Sequence, residues 1–132
     1  MKILLVDKNR HVGSLIKREL DKDHHEVILA ENAKNLMLIL NTSKQFDLLI
    51  IDPDLPDMES GELFKSISQQ IHGIPVIFHD YYGDFSQECG SLNVLAYVEK
   101  KGNSIDNIRS TIQQAHQSPE FHSHGFDKNQ NQ

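Results

Sequence analysis

A single cysteine, Cys89, is all the thiol chemistry this chain carries. No disulfide can form within it, so a reducing compartment, the cytoplasm, is the expected location. Basic residues are in deficit: 13 lysines and arginines stand against 19 acids, a net charge of -6. Phosphate backbones call for a basic face, so direct nucleic-acid binding is disfavoured. Long apolar runs are missing too. None approaches the roughly 20 residues that cross a bilayer, and Met1-Lys2 leads straight into "ILLV" without the layout of a signal peptide. There is no internal repeat and no sign of a second domain. The first turn, "VDKNRHVG", has no glycine-rich cradle for a phosphate. With 38% hydrophobic residues in a chain of 132, one soluble domain with a core of its own is expected.

Five short apolar runs rich in β-branched residues read as strands: "KILLV", "EVILA", "FDLLII", "IPVIFH" and "NVLAYV". The first, third and fourth are nearly continuous, as in strands buried on both faces of a parallel sheet. Helical spacing fills the gaps. Val12, Leu15, Ile16 and Leu20 share one face, as do Ala33, Leu36, Ile39 and Leu40 behind Asn32 as N-cap. Leu63, Phe64, Ile67 and Ile71 form a third stripe; Ile105, Ile108, Ile112 and Ala115 form another, with Ser104 as its cap. The remaining gap, "GDFSQECGSL", offers only a stubby helix through Phe85, Cys89 and Leu92. Alternation of strand and helix predicts an α/β domain over 1–117, a doubly wound five-stranded parallel sheet with helices on both faces. "SPEFHSHGFDKNQNQ" then reads as a flexible polar tail over 118–132.

In open α/β sheets, ligands bind at the carboxyl ends of the strands. The first strand delivers Asp7 and Lys8 there, and the third Asp52 with Asp54 two residues on. The fourth delivers His79, Asp80 and Tyr81, and the fifth Glu99, Lys100 and Lys101. Acids and lysines from separate strands therefore converge on one edge. The apolar run before Asp52 holds a carboxylate where other strands supply its charge partners.

This arrangement resembles the receiver domain of bacterial two-component response regulators, from Met1 to about Gln117. Asp7 ends the first strand and Asp52 the third, followed by Pro56 in "DPDLPDM"; Ile74-Pro75 opens the fourth strand, and Tyr97 precedes Lys100 in "AYVEKK". The resemblance implies a flavodoxin-like strand order 2-1-3-4-5 and a signalling module rather than an enzyme. It also implies that Asp52 accepts a phosphoryl group from a histidine kinase or phosphotransfer protein. Asp7, Asp52 and the backbone carbonyl of Asp54 would hold Mg²⁺, Lys100 would pair with the phosphoryl oxygens, and Tyr97 would report the switch to a downstream protein partner or a second copy in a homodimer.

The chain departs from that pattern at several points. Lys8 replaces a second metal-binding acid, and a cation there repels Mg²⁺. Asp80 replaces the Ser or Thr hydroxyl that bonds the phosphoryl, and Tyr81 replaces a small residue. Lys101 stands for a common proline, and Ser60 for a usual glycine, with Gly61 one place later. Asp7, Asp52 and Asp80 set three negative charges against the two positive ones of Lys8 and Lys100. A pair of Lys8 with Asp52 or Asp80, worth on the order of 4 kcal/mol at 4 Å and an effective dielectric of 20, could rival weak Mg²⁺ binding. The expectation is an atypical pocket in which Mg²⁺ binding is weakened or absent, and with it an alternative function as a phosphorylation-independent docking module.

Plainer roles stay open beside these. Asp7 could cap the first helix, Asp54 and Asp57 could be solvated loop acids, Lys8 a surface lysine, and Tyr97 half-buried packing. Another alternative is a haloacid-dehalogenase-like phosphatase, with Asp52 as nucleophile and Asp54 as acid/base in "IIDPD". Leu55 follows where that motif has Thr or Val, the motif sits on the third strand rather than the first, and there is no cap domain. A flavodoxin-like nucleotide binder fails on its missing cradle and acidic edge. His116, His122 and His124 lack the rigid frame of a transition-metal site.

Overall fold

The computed structural model describes residues 1–43, 45–81 and 90–117. Nine elements follow one another along them: β1 (Lys2–Val6), α1 (Arg10–Lys22), β2 (Glu26–Ala30), α2 (Ala33–Thr42), β3 (Leu48–Ile51), α3 (Ser60–Gln70), β4 (Pro75–Asp80), β5 (Asn93–Glu99) and α4 (Ser104–His116). The expected short helix through Phe85 and Cys89 and the tail over 118–132 lie outside the described residues.

The strands form one sheet of order β2-β1-β3-β4-β5, and every neighbouring pair is parallel. All residues of β3 and β4 are buried, which accounts for their unbroken apolar sequence. Side chains that alternate across a strand feed two separate cores. Leu4, Val6, Leu49, Ile51, Val76 and Phe78 pack with Leu36 and Leu40 of α2 and Leu63, Phe64 and Ile67 of α3. Ile3, Leu5, Leu48, Ile50 and Ile77 pack on the other face with Ile16 and Leu20 of α1 and Ile108 and Ile112 of α4. Burying one such aliphatic side chain contributes roughly 1.5–3 kcal/mol, so the two layers fix the relative positions of the strand ends.

Three details differ from the sequence expectation. Asn9, not Asp7, caps α1: its side chain accepts from the amides of His11 and Val12. Asn103 rather than Ser104 is the N-cap of α4 and makes no side-chain capping bond, while Ser104 is buried as the first helical residue. Leu15 sits one step round α1 from the buried stripe and is 41% exposed, while Gly13, Ile16 and Leu20 are the buried residues of the helix. Asn32 does cap α2, accepting from the amide of Asn35.

The β4–β5 pairing contains a shift. Val76 faces Val94 but Ile77 faces Ala96, so Leu95 is an extra residue with no partner in β4.

Candidate functional site

At the carboxyl edge of the sheet, three buried carboxylates stand at the ends of β1, β3 and β4: Asp7, Asp52 and Asp80 are each no more than 5% exposed. Ionised groups are expensive to bury unless paired. Lys100, next after β5, supplies the main pairing. Its Nζ lies 2.5 Å from Asp52 Oδ2 and 2.9 Å from Asp7 Oδ2, and its side chain is only 7% exposed. Burial works against the charged ammonium, but the bonds to Asp52 and Asp7 outweigh it and raise its pKa. The other oxygens of the two acids are engaged locally. Asp7 Oδ1 accepts from the amide of Asn9 at 2.8 Å, and Asp52 Oδ1 from the amide of Asp54 at 3.0 Å.

Asp80 and Asp52 line the same groove, about 980 Å³, with the loop from Pro53 to Glu59 forming one wall and Tyr81 part of another. The Asp80 backbone carbonyl accepts from the amide of Lys100 at 2.8 Å, which locks the end of β5 against β4. The ring of Tyr81 lies over the same ammonium, its centroid 5.4 Å from Lys100 Nζ. Cation–π contacts of this kind favour a charge held at the ring face. Tyr97 is 40% exposed and stacks on Phe78 with centroids 5.3 Å apart.

Lys8 does not pair with Asp52 or Asp80. Its ammonium hydrogen-bonds Asp54 Oδ2 instead. Both side chains are largely solvated, so the bond links two arms at the mouth of the pocket rather than neutralising its floor. That hydrogen bond, opposed by slight burial and helped by the charges of Asp54 and Asp52, raises the Lys8 pKa. Asp52 already carries the Lys100 ammonium on Oδ2 and the Asp54 amide on Oδ1, and Lys8 reaches the exposed Asp54 carboxylate instead.

Asp57 is an exposed loop acid, as expected, but it also has a structural partner. Its two oxygens accept from the amides of Ala33 and Lys34 at 2.8 and 3.0 Å, tying the loop after Asp52 to the first turn of α2. The Ala33 bond is the largest influence and pulls its pKa below the usual aspartate value; burial opposes it, and the Lys34 bond adds to the lowering. An isolated bridge between Leu55 and Met58 tightens the same loop. No local sequence signal marks this role, because the helix that Asp57 caps begins 24 residues earlier.

His79 is a second residue whose setting periodicity alone does not reveal. It is 2% exposed, and neither ring nitrogen has a hydrogen-bond partner among the described residues. Burial, then the nearby Lys100 charge, push its pKa down, while Asp7 and Asp52 pull it up less strongly. The imidazole is therefore held neutral beside the charged cluster.

The chain matches the response regulator receiver domain family over residues 3–113. It is 30% identical over 122 residues to the transcriptional regulatory protein CpxR of Escherichia coli (strain K12), an alignment that covers 89% of this chain and 51% of CpxR. The chain thus spans about half the length of that relative. It is 29% identical over 113 residues to sporulation initiation phosphotransferase F of Bacillus subtilis, covering 84% of this chain and 90% of the other. Among solved structures, the chemotaxis response regulator CheY4 of Vibrio cholerae superposes with a TM-score of 0.74 at 20% identity, over 86% of this chain and 96% of that one. At that identity the match speaks for the fold alone.

Proposed function

The chain belongs to the response regulator receiver domains, and from that premise we propose that Asp52 is its regulatory carboxylate, read out through contact with another protein. The observation that carries this is the placement of Asp52: buried at the end of β3, with Lys100 Nζ 2.5 Å from Oδ2 and Asp7 on the same ammonium. Receiver domains work with histidine kinases or phosphotransfer proteins, and the same donors are proposed for this chain. An oxygen of Asp52 attacks phosphorus, the P–N bond of the donor phosphohistidine breaks, and its electron pair returns to the imidazole. Asp52 is left as an acyl phosphate. Lys100 faces the charge that accumulates on the phosphoryl oxygens, as a preorganised cation should.

A second reading is favoured by Asp80 and Tyr81. A buried carboxylate stands where a phosphoryl-bonding hydroxyl is expected, and a ring covers the Lys100 ammonium. In that reading the same edge docks a partner without phosphorylation, and Tyr97, half exposed on β5, belongs to the contact face. A phosphatase of the haloacid-dehalogenase type is disfavoured, because Asp54, its acid/base, is tied to Lys8 in an exposed ion pair.

Intact-mass measurement after incubation with acetyl phosphate, with and without Mg²⁺, separates these readings. A gain of one phosphoryl group that is lost in Asp52→Asn supports the first. No gain in any condition removes it in favour of the docking module. As to where the protein resides, no helix among the described residues is long and apolar enough to cross a membrane.

A further inference from the structure

The receiver fold implies a divalent cation beside Asp52, and the residues of this chain do not fit one. Mg²⁺ demands a near-octahedral set of oxygens at short range and takes one or two free carboxylates for it. Here three of the four oxygens of the two candidate acids are hydrogen-bonded. The fourth, the buried Asp7 Oδ2, makes no hydrogen bond among the described residues and has the Lys100 ammonium as its ion-pair partner. Lys100 holds Asp7 Oδ2 at 2.9 Å and Asp52 Oδ2 at 2.5 Å, and the amides of Asn9 and Asp54 hold the other two. The residue that follows Asp7 is a lysine, which has no lone pair to offer when charged. Its ammonium reaches across to Asp54, the residue whose backbone carbonyl would be the third ligand.

From this geometry we infer that Lys8, latched to Asp54 at the pocket mouth, stands in place of the divalent cation, so that this receiver keeps its acidic pocket without metal. The inference rests on the receiver reading of the Asp52 pocket and deepens it. Two lysines divide the neutralisation between them. Lys100 lies on the floor, fixed between Asp7 and Asp52, and Lys8 at the rim, solvated and able to change partners. Lys8 already lies within the electrostatic reach of both Asp52 and Lys100. A dianionic group attached at Asp52 would meet Lys100 first and could draw the Lys8 ammonium from Asp54, with no ion entering or leaving. An ammonium carried on the chain itself also requires no metal ion to shed its tightly held water.

The test is titration of the full chain with magnesium chloride alone, followed through the backbone amide resonances of Asp7, Lys8, Asp52 and Asp54, in the native protein and in Lys8→Asp. Lys8 is exposed, so the variant is expected to fold, and its amide spectrum before addition of metal checks this. The expected result is no saturable shift in the native protein up to low millimolar Mg²⁺, and binding tightened by on the order of tenfold or more in Lys8→Asp, as an added charged ligand should produce. Saturable low-millimolar binding by the native protein overturns the inference, and so does a folded Lys8→Asp variant that gains no affinity. The acetyl phosphate experiment is scored separately. Failure of Asp52 to gain a phosphoryl group, with the titration following the expected pattern, rejects the phosphoacceptor reading and leaves metal independence standing; Mg²⁺ binding with Asp52 phosphorylated does the reverse.

Discussion

Lys100 and Asp52 meet inside the protein, Nζ to Oδ2, at 2.5 Å, with both side chains at least nine-tenths buried. The same ammonium also holds Asp7. One cation thus compensates two carboxylates that the sheet brings side by side, and its removal should cost more than removal of either acid. Lys100→Met is expected to destabilise the domain by about 3 kcal/mol, the penalty of leaving buried charge unpaired. Asp7→Asn and Asp52→Asn each leave Lys100 one acid and should cost less. Urea unfolding of the three variants checks the order; a Lys100→Met midpoint above that of either Asn variant would count against it.

Lys8→Ala should behave differently. Its partner Asp54 has a side chain 73% exposed, and its own is 45% exposed. Solvated pairs contribute little, so a change below about 1 kcal/mol is expected in the same unfolding measurement. The short contact in the structure is then a matter of position and not of stability.

Asp57 links the loop after Asp52 to α2, and its depressed pKa fixes the sign of a pH effect. The folded value lies below the ordinary 3.8, so the unfolded chain binds the proton first on acidification. The stabilisation is complete above that ordinary value and is lost as pH falls from it through the folded pKa. Hydrogen exchange at the Ala33 and Lys34 amides should rise in that window relative to other amides of α2. Asp57→Ala should show the raised exchange already at neutral pH.

His79 gives a pH dependence in a milder range. Its pKa in the fold is below 6.5 because burial and Lys100 disfavour the imidazolium. The unfolded chain therefore takes up this proton first, and stability should decline as pH drops below about 6.5. His79→Leu keeps an apolar group in a buried position and removes two ring nitrogens that have no partner among the described residues, which is expected to add about 1 kcal/mol. Thermal melts at neutral and mildly acidic pH should show a smaller difference in the variant than in the native chain.

Whether a residue's setting is legible in the sequence depends on whether that setting is local. Strands such as "LLII" announce their burial through an unbroken apolar run, and the parallel order follows from strand-helix alternation. The convergence of Asp7, Asp52 and Lys100 is readable because strand ends in such a sheet share one edge. Asp57 is not, since its partners Ala33 and Lys34 belong to a helix whose N-terminus approaches the loop only in three dimensions. A charge count pairs Lys8 with Asp52 or Asp80 because it ignores which acid already has a partner; the structure gives it Asp54. Apolar spacing puts Leu15 in the buried stripe of its helix because spacing alone does not separate the inner edge of a stripe from the outer.

Leu95 decides which way the end of the last strand faces. Because β4 offers it no counterpart, the alternation of side chains slips by one step there, and Tyr97 comes to lie on Phe78 while Val98 joins the opposite layer. Excising that single amino acid would invert the parity of everything up to Glu99 and shorten the path to Lys100. An unassuming irregularity thus stands only a short stretch of chain before the charged centre, and the ammonium on which two acids depend is delivered by a miscount in the weave.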